Sequence, residues 1–231
     1  MPARNSIKRY LENGYYHIYN RGVEKRKIFL DRQDYAVFLS YLEEYLSPKD
    51  EKALYAVLSD ESSSPQEKDR ARKLLRMNNF WQEITLLAYC LMPNHFHFFI
   101  KQKSAGSIDK FMNSLGTRYT MYFNKKYDRV GSLYQGVYKA VNVNSEPQFI
   151  YLSKYIHRQA LALQGEALQS LRGQPSSYED YLKQRDTEWV NPDEVLSFFS
   201  KNNPSLSYES FVEEAPDEKE GLIISEFFIE N

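Results

Sequence analysis

The sequence predicts an α+β protein of the ferredoxin-like (split βαβ) class, an antiparallel four-stranded sheet with helices on one face, followed by a further C-terminal helix. Three observations predict it. Strand-like and helix-like segments alternate in the order β-α-β-β-α-β and then a helix. Two apolar runs at 84–91 and 95–101 are separated only by Met92, Pro93 and Asn94, the last two making a tight hairpin turn. Three longer segments repeat their apolar residues at helical spacing.

Taken in order, GYYHIYN at 14–20 has the length and aromatic content of a strand. Asp31 is placed to cap a helix whose stripe is Tyr35, Phe38, Leu39, Leu42, Tyr45 and Leu46, and Ser47-Pro48 closes it. Residues 47–80 read as an insertion, with a Ser-rich break at 61–65 and a charged helical stretch after it. ITLLAYCL at 84–91 reads as a buried strand, and His95 to Lys101 as its hairpin partner. Ser107 is the expected cap of the next helix, with the stripe Ile108, Phe111, Met112, Leu115, Tyr119, Tyr122 and Phe123. Gly131 breaks the chain, and 133–143 reads as the fourth strand. Ser145 then caps a helix carrying Phe149, Leu152, Ile156 and Leu163. Asn191-Pro192 opens a short helical DEVLSFFS, and LIISEFFI at 222–229 is apolar enough to dock.

A chain of 231 residues suits one domain with appendages: a principal domain over 1–170, holding the 47–80 insertion, and a C-terminal extension over 171–231. No apolar run reaches the roughly 18 residues of a membrane span. The basic N-terminus has no apolar stretch behind it, so a secretory signal is not expected. Cys90 is the only cysteine, which excludes an internal disulfide and suggests a reducing, cytoplasmic setting. The net charge of −1 conceals an uneven distribution. Residues 179–231 hold 4 Lys/Arg against 14 Asp/Glu, a local −10, which leaves +9 for residues 1–178. Between Lys101 and Lys139 there are 8 basic and 2 acidic residues. A basic body beside an acidic extension fits either a polyanion-binding surface, with the extension as its cover, or an ordinary solvated face. The 19 tyrosines can stack on unpaired bases where they are exposed and pack in the core where they are not.

Two clusters carry chemistry. His95 and His97 lie one residue apart on a strand, so they share a face while Phe96 and Phe98 take the other. Their Cβ atoms are expected roughly 7 Å apart, close enough for two imidazoles to converge on one cation, with a third ligand from elsewhere. Two unrelated histidines would give the same spacing. Tyr155 and Gln159 are four apart on a helix and project from one face, with His157 pointing away.

Four segments taken together resemble the single-tyrosine HUH transposases of the insertion-sequence-200-like family, most closely the REP-associated tyrosine transposases. They are YHIYNRGVEKRKIF, CLMPNHFHFF, RYTMYFNKKYDRVGSLYQGVYKA and KYIHRQAL, with a further likeness in PSSYEDY at 175–181. The likeness covers about residues 14–183, interrupted by 47–80. It implies that His95 and His97 bind a divalent metal, Mg2+ or Mn2+, with Phe96 as the apolar residue between them. It implies that Tyr155 is the nucleophile and Gln159 the third protein ligand, a position where close relatives also carry asparagine.

The implied function is a metal-dependent single-stranded DNA endonuclease and strand transferase acting on DNA hairpins through a 5′-phosphotyrosine intermediate. Lys110, Arg118, Lys125, Lys126, Arg129 and Lys139 are the expected phosphate contacts, joined by Arg21 and Lys25 after the first strand. Relatives include monomers and dimers that exchange the tyrosine helix, so a homodimer stays open, as does action of the tyrosine in cis or in trans. Two other readings compete: a non-catalytic single-stranded DNA- or RNA-binding module on the same fold, and a zinc hydrolase with His17 as third ligand.

Overall fold

The computed structural model describes residues 10–162, 175–215, 221–223 and 225. Four antiparallel strands form one sheet: β1 (Tyr15–Arg21), β2 (Ile84–Met92), β3 (His95–Gln102) and β4 (Lys139–Asn142), in the order β2-β3-β1-β4. With α1 (Arg32–Leu46) between β1 and β2, and α4 (Ser107–Lys126) between β3 and β4, this is the expected split βαβ arrangement. The 47–80 segment folds as two helices, α2 (Glu51–Ser59) and α3 (Pro65–Arg76).

Strand alternation divides the core into two layers. Tyr16 and Ile18 of β1 and Phe96, Phe98 and Ile100 of β3 face α1 and α4, which supply Phe38, Leu42, Phe111, Leu115 and Tyr119. α1 starts where expected: the Asp31 side chain accepts from the Asp34 N–H, and Asp34 reciprocates in a capping box. Phe38 is fully buried, and its ring meets those of Phe29, Phe96, Phe98 and Tyr119.

The opposite face is covered by α5 (Glu146–Ala162), the short helices α6 (Tyr178–Tyr181), α7 (Asp193–Leu196) and α8 (Tyr208–Glu213). Leu152, Ile156 and Ala160 of α5 pack with Tyr181, Val195, Tyr208 and Val212 over Ala88, Cys90 and Phe99 of the sheet. A bulge at Leu86/Ala88 in β2 puts Leu87 and Ala88 both into this second core. No helix among the described residues is long and apolar enough to cross a membrane. Leu163, most of the 222–229 segment and the expected division at residue 170 lie outside the described residues.

Two expectations need correction. The fourth strand is Lys139–Asn142, not 133–143. From Tyr19 to Gly22, β1 advances three residues while its neighbour runs back five, from Lys139 to Tyr134, so two residues have no partner and pairing lapses. Ser107 is the first residue of α4 and does not cap it. Gly106 takes the cap with φ of 88°, a conformation that favours glycine, and the Ser107 hydroxyl donates to the Glu83 carboxylate at 2.7 Å.

Because Phe38 sits where both helices meet the sheet, Phe38→Ala should cost about 3–5 kcal/mol of stability. Urea unfolding followed by far-UV circular dichroism checks this.

Candidate active site

The site is built on the two central strands. On the α5 side of the sheet, β1 presents Tyr15, His17, Tyr19 and Arg21, and β3 presents His95, His97 and Phe99. The pairing sets Arg21 opposite His95, Tyr19 opposite His97 and His17 opposite Phe99. Lys139 extends the Tyr19–His97 row on the far side of β1.

His95 follows the hairpin turn, which is strapped down by the loop after β1. The Gly22 N–H donates to the Asn94 carbonyl at 2.8 Å, and the Ile28 N–H to the Pro93 carbonyl at 2.7 Å. Gly22 is required here, since a Cβ would stand 2.2 Å from the Arg26 carbonyl oxygen. The Asn94 side chain donates from Nδ2 to the Lys25 carbonyl at 3.2 Å, so its Oδ1 faces His95 Nδ1 at 2.6 Å. An amide oxygen only accepts, so His95 carries its proton on Nδ1 and keeps a lone pair on Nε2.

His97 lies deeper. Its Nδ1 is 2.8 Å from Nε2 of His17, the two rings nearly coplanar and edge to edge, with centroids 5.1 Å apart and planes within 9°. Its Nε2 is buried without a hydrogen-bond partner among the described residues. The ring of His95 stands 4.9 Å away, nearly perpendicular. Burial keeps all three imidazoles neutral: His17 is pushed down to about 3 and His95 to about 4, the latter helped by the Arg21 charge. His97 is driven well below the ordinary range by burial, then by its neighbours His17, His95 and Arg21. Arg21 Nε is itself buried without a hydrogen-bond partner among the described residues.

α5 brings Tyr155 to this group within the same chain. The half-buried phenol ring stands 5.4 Å from the His97 ring and 5.9 Å from the His17 ring, edge-on to both. Gln159 lies one turn further along α5, partly exposed. His157 points the other way, as expected. Its Nδ1 is 2.6 Å from the Tyr208 hydroxyl and its Nε2 2.8 Å from the Ser177 hydroxyl, which also accepts the Tyr89 N–H. Burial pushes His157 down to about 3.

The donor set fits a divalent metal in part. Two neutral imidazoles keep Nε2 for a ligand, one of them an orphaned buried atom. Among the described residues, no group of three or more His, Cys, Asp or Glu could hold a metal. His17 turns Nε2 to His97, and without a three-donor group among the described residues the zinc reading lacks its ligand set. Any further ligands must therefore be amide or substrate oxygens, and Gln159 is the amide on the tyrosine's helix.

The expected phosphate contacts separate into two groups. Arg21 and Lys139 lie on the histidine face, and exposed Lys25 sits on the loop that anchors Asn94. Lys110, Arg118, Lys125, Lys126 and Arg129 belong to α4 or its C-terminal end, in the layer behind the sheet. Arg118 pairs with Glu44 at 2.5 Å and lies over the Tyr41 ring, and Lys126 bridges Asp31 and Asp34 at 2.7 and 2.8 Å. The structural roles of Asn94 and His17 went unread in the sequence. The signal for His17 was its place one residue from Tyr16 and Ile18 on a strand with one buried apolar face.

A ferredoxin-like sheet thus carries two histidines on a central strand, with a tyrosine on the covering helix beside them. Residues 61–159 match the family model described as "Transposase IS200 like". That stretch holds His95, His97, Tyr155 and Gln159, and over it the resemblance read from the sequence is shown. No curated protein matches the chain. Two solved structures are similar to it. One is a REP-associated tyrosine transposase bound to a REP hairpin, 11% identical, covering 81% of this chain and 97% of that one, with a TM-score of 0.47. The other is a candidate transposase from Deinococcus radiodurans R1, 13% identical, covering 67% and 97%, with a TM-score of 0.36.

The buried histidines make stability depend on pH with a definite sign. They titrate near 6.5 when unfolded and near 3 or 4 when folded. Between those limits the unfolded chain binds protons that the native protein does not, so stability is lost as pH falls through that window. The expected loss is up to about 1.4 kcal/mol per pH unit for each histidine. Urea midpoints should fall between about pH 7 and about pH 5, and by less in His157→Leu than in the unaltered protein.

Proposed function

We propose that this protein is a metal-dependent single-stranded DNA endonuclease and strand transferase, a transposase with Tyr155 as its nucleophile. The observation that carries the reading is the meeting of the Tyr155 ring with the His97 ring, beside a second histidine whose Nδ1 is engaged by Asn94. The family match over 61–159 supports a DNA-processing enzyme of this kind.

In this reading His95, His97 and Gln159 would hold Mg2+ or Mn2+. The bound ion would withdraw charge from the scissile phosphate. Tyr155 Oη attacks the phosphorus in line, a 5′-phosphotyrosyl bond forms, and the bond to the 3′-oxygen breaks. Attack by a 3′-hydroxyl on that linkage reverses the step and rejoins DNA, so cleavage and transfer are one reaction in two directions. Arg21, opposite His95, is placed to pair with a phosphate at the site, and its charge helps keep both histidines unprotonated. The closeness of Tyr155 to the histidines of its own chain favours action in cis. The substrate class is single-stranded DNA carrying hairpins, in the cytoplasm, and residues 1–170 would form the catalytic unit with 171–231 as an acidic extension.

Tyr155→Phe should form no covalent adduct with single-stranded hairpin oligonucleotides in Mn2+, while binding them within about threefold of the unaltered protein. Denaturing gels and fluorescence anisotropy read the two quantities. An adduct with the Phe variant would remove Tyr155 from its role, and binding without an adduct by the unaltered protein on every hairpin would favour a non-catalytic module. Chelation of the metal should likewise abolish the adduct.

The division of cations predicts a second outcome. Arg21→Ala should lower the slope of log affinity against log salt by about 1, whereas Arg118→Ala should leave that slope unchanged. Equal effects would mean that DNA tracks the α4 layer as well.

A further inference from the structure

We infer that His17 is the positioning residue for His97, fixing through one hydrogen bond which imidazole nitrogen the metal receives. The inference rests on the reading of His95 and His97 as metal ligands. It assigns to β1 a part in the site that the family match, beginning at residue 61, does not reach.

The geometry allows two proton arrangements. Either His97 Nδ1–H donates to His17 Nε2, or His17 Nε2–H donates to His97 Nδ1 across the same 2.8 Å. In the second, His97 carries its other proton on Nε2, a buried donor with no acceptor among the described residues. The first places the corresponding proton on Nδ1 of His17, which is equally buried, so burial weighs on both arrangements alike. A cation at His97 Nε2 selects the first, because a metal ligand must present an unprotonated nitrogen. In the first, Nε2 holds a lone pair, which a cation can use. His95 reaches the same state independently, since Asn94 accepts from its Nδ1–H. The two rings therefore offer the same nitrogen type.

His17 is suited to this task by burial and by its neighbours. It is completely inaccessible to solvent. Its ring lies nearly in plane with that of His97, faces the Tyr19 ring at 4.9 Å and meets the Tyr155 ring edge-on at 5.9 Å. Those contacts restrict rotation about the ring's side-chain bonds. Metal-bound histidines usually pass their second N–H to a carboxylate, a backbone carbonyl or water. Here the acceptor is a neutral imidazole, which orients the ligand without adding negative charge.

The test compares Mn2+ affinity, read from the electron paramagnetic resonance signal of free Mn2+, for the unaltered protein, His17→Leu, His17→Gln and His97→Ala. His17→Leu should weaken Mn2+ binding about 10–100-fold. His17→Gln, whose amide oxygen can take the place of the imidazole Nε2, should recover most of that loss. Hairpin affinity in the presence of a chelator should be the same for all. If His17→Leu binds Mn2+ as the unaltered protein does while His97→Ala does not, the inference fails and the metal reading stands. If the unaltered protein binds no Mn2+, the metal reading itself fails. Should His17→Leu not fold, long-range 1H–15N spectra of the unaltered protein decide the matter. A proton on Nδ1 of His97 supports the inference, and a proton on Nε2 overturns it.

Discussion

The histidine cluster depends on keeping the hydrogen-bonded imidazoles of His17 and His97 neutral beneath a helix. An imidazolium at that depth would face a second ring at 5.1 Å, a third at 4.9 Å from His97, and the guanidinium of Arg21. β1 and β3 are the central strands, flanked by β2 and β4, and α5 lies over their histidine face.

The fold was largely legible because its signals are local. The stripe from Tyr35 to Leu46, the cap at Asp31 and the turn at Pro93-Asn94 each act within a few residues, and each appears where the pattern put it. The fourth strand was overextended for a non-local reason: whether 133–138 pairs depends on where β1 stops, and β1 turns away at Gly22. The cap of α4 was misread because Ser107 has a better partner in Glu83, more than twenty residues distant in sequence.

The site was legible to a different degree. The shared face of His95 and His97 follows from period-two alternation, and the shared side of Tyr155 and Gln159 from helical spacing. That the two clusters meet could not come from spacing, since it depends on α5 crossing the sheet over β3. The partners of the histidines were hidden for the same reason. His17 meets His97 only through antiparallel pairing, and Asn94, read as a turn residue, also accepts the proton of His95. The expected phosphate contacts divide in a way that spacing does not reveal. Basic residues dense in sequence looked like one surface, yet the sheet lies between Lys139 and the α4 cations, and two of those are committed to Glu44, Asp31 and Asp34.

The segment beyond residue 174 bears on the tyrosine through His157. Positions two apart on an α-helix point about 200° from one another, so His157 leaves α5 on the side opposite Tyr155 and Gln159. There it bonds Ser177 and Tyr208, while Ser177 also takes the backbone N–H of Tyr89 in β2. One turn of α5 is therefore held from both sides: outward by chain that follows it, inward by the rings of His17 and His97. Sliding α5 along the sheet would have to break both buried bonds of His157 at once. That coupling fixes where the phenol stands relative to the histidines. Ser177 and Tyr208 thus help hold the helix that carries Tyr155.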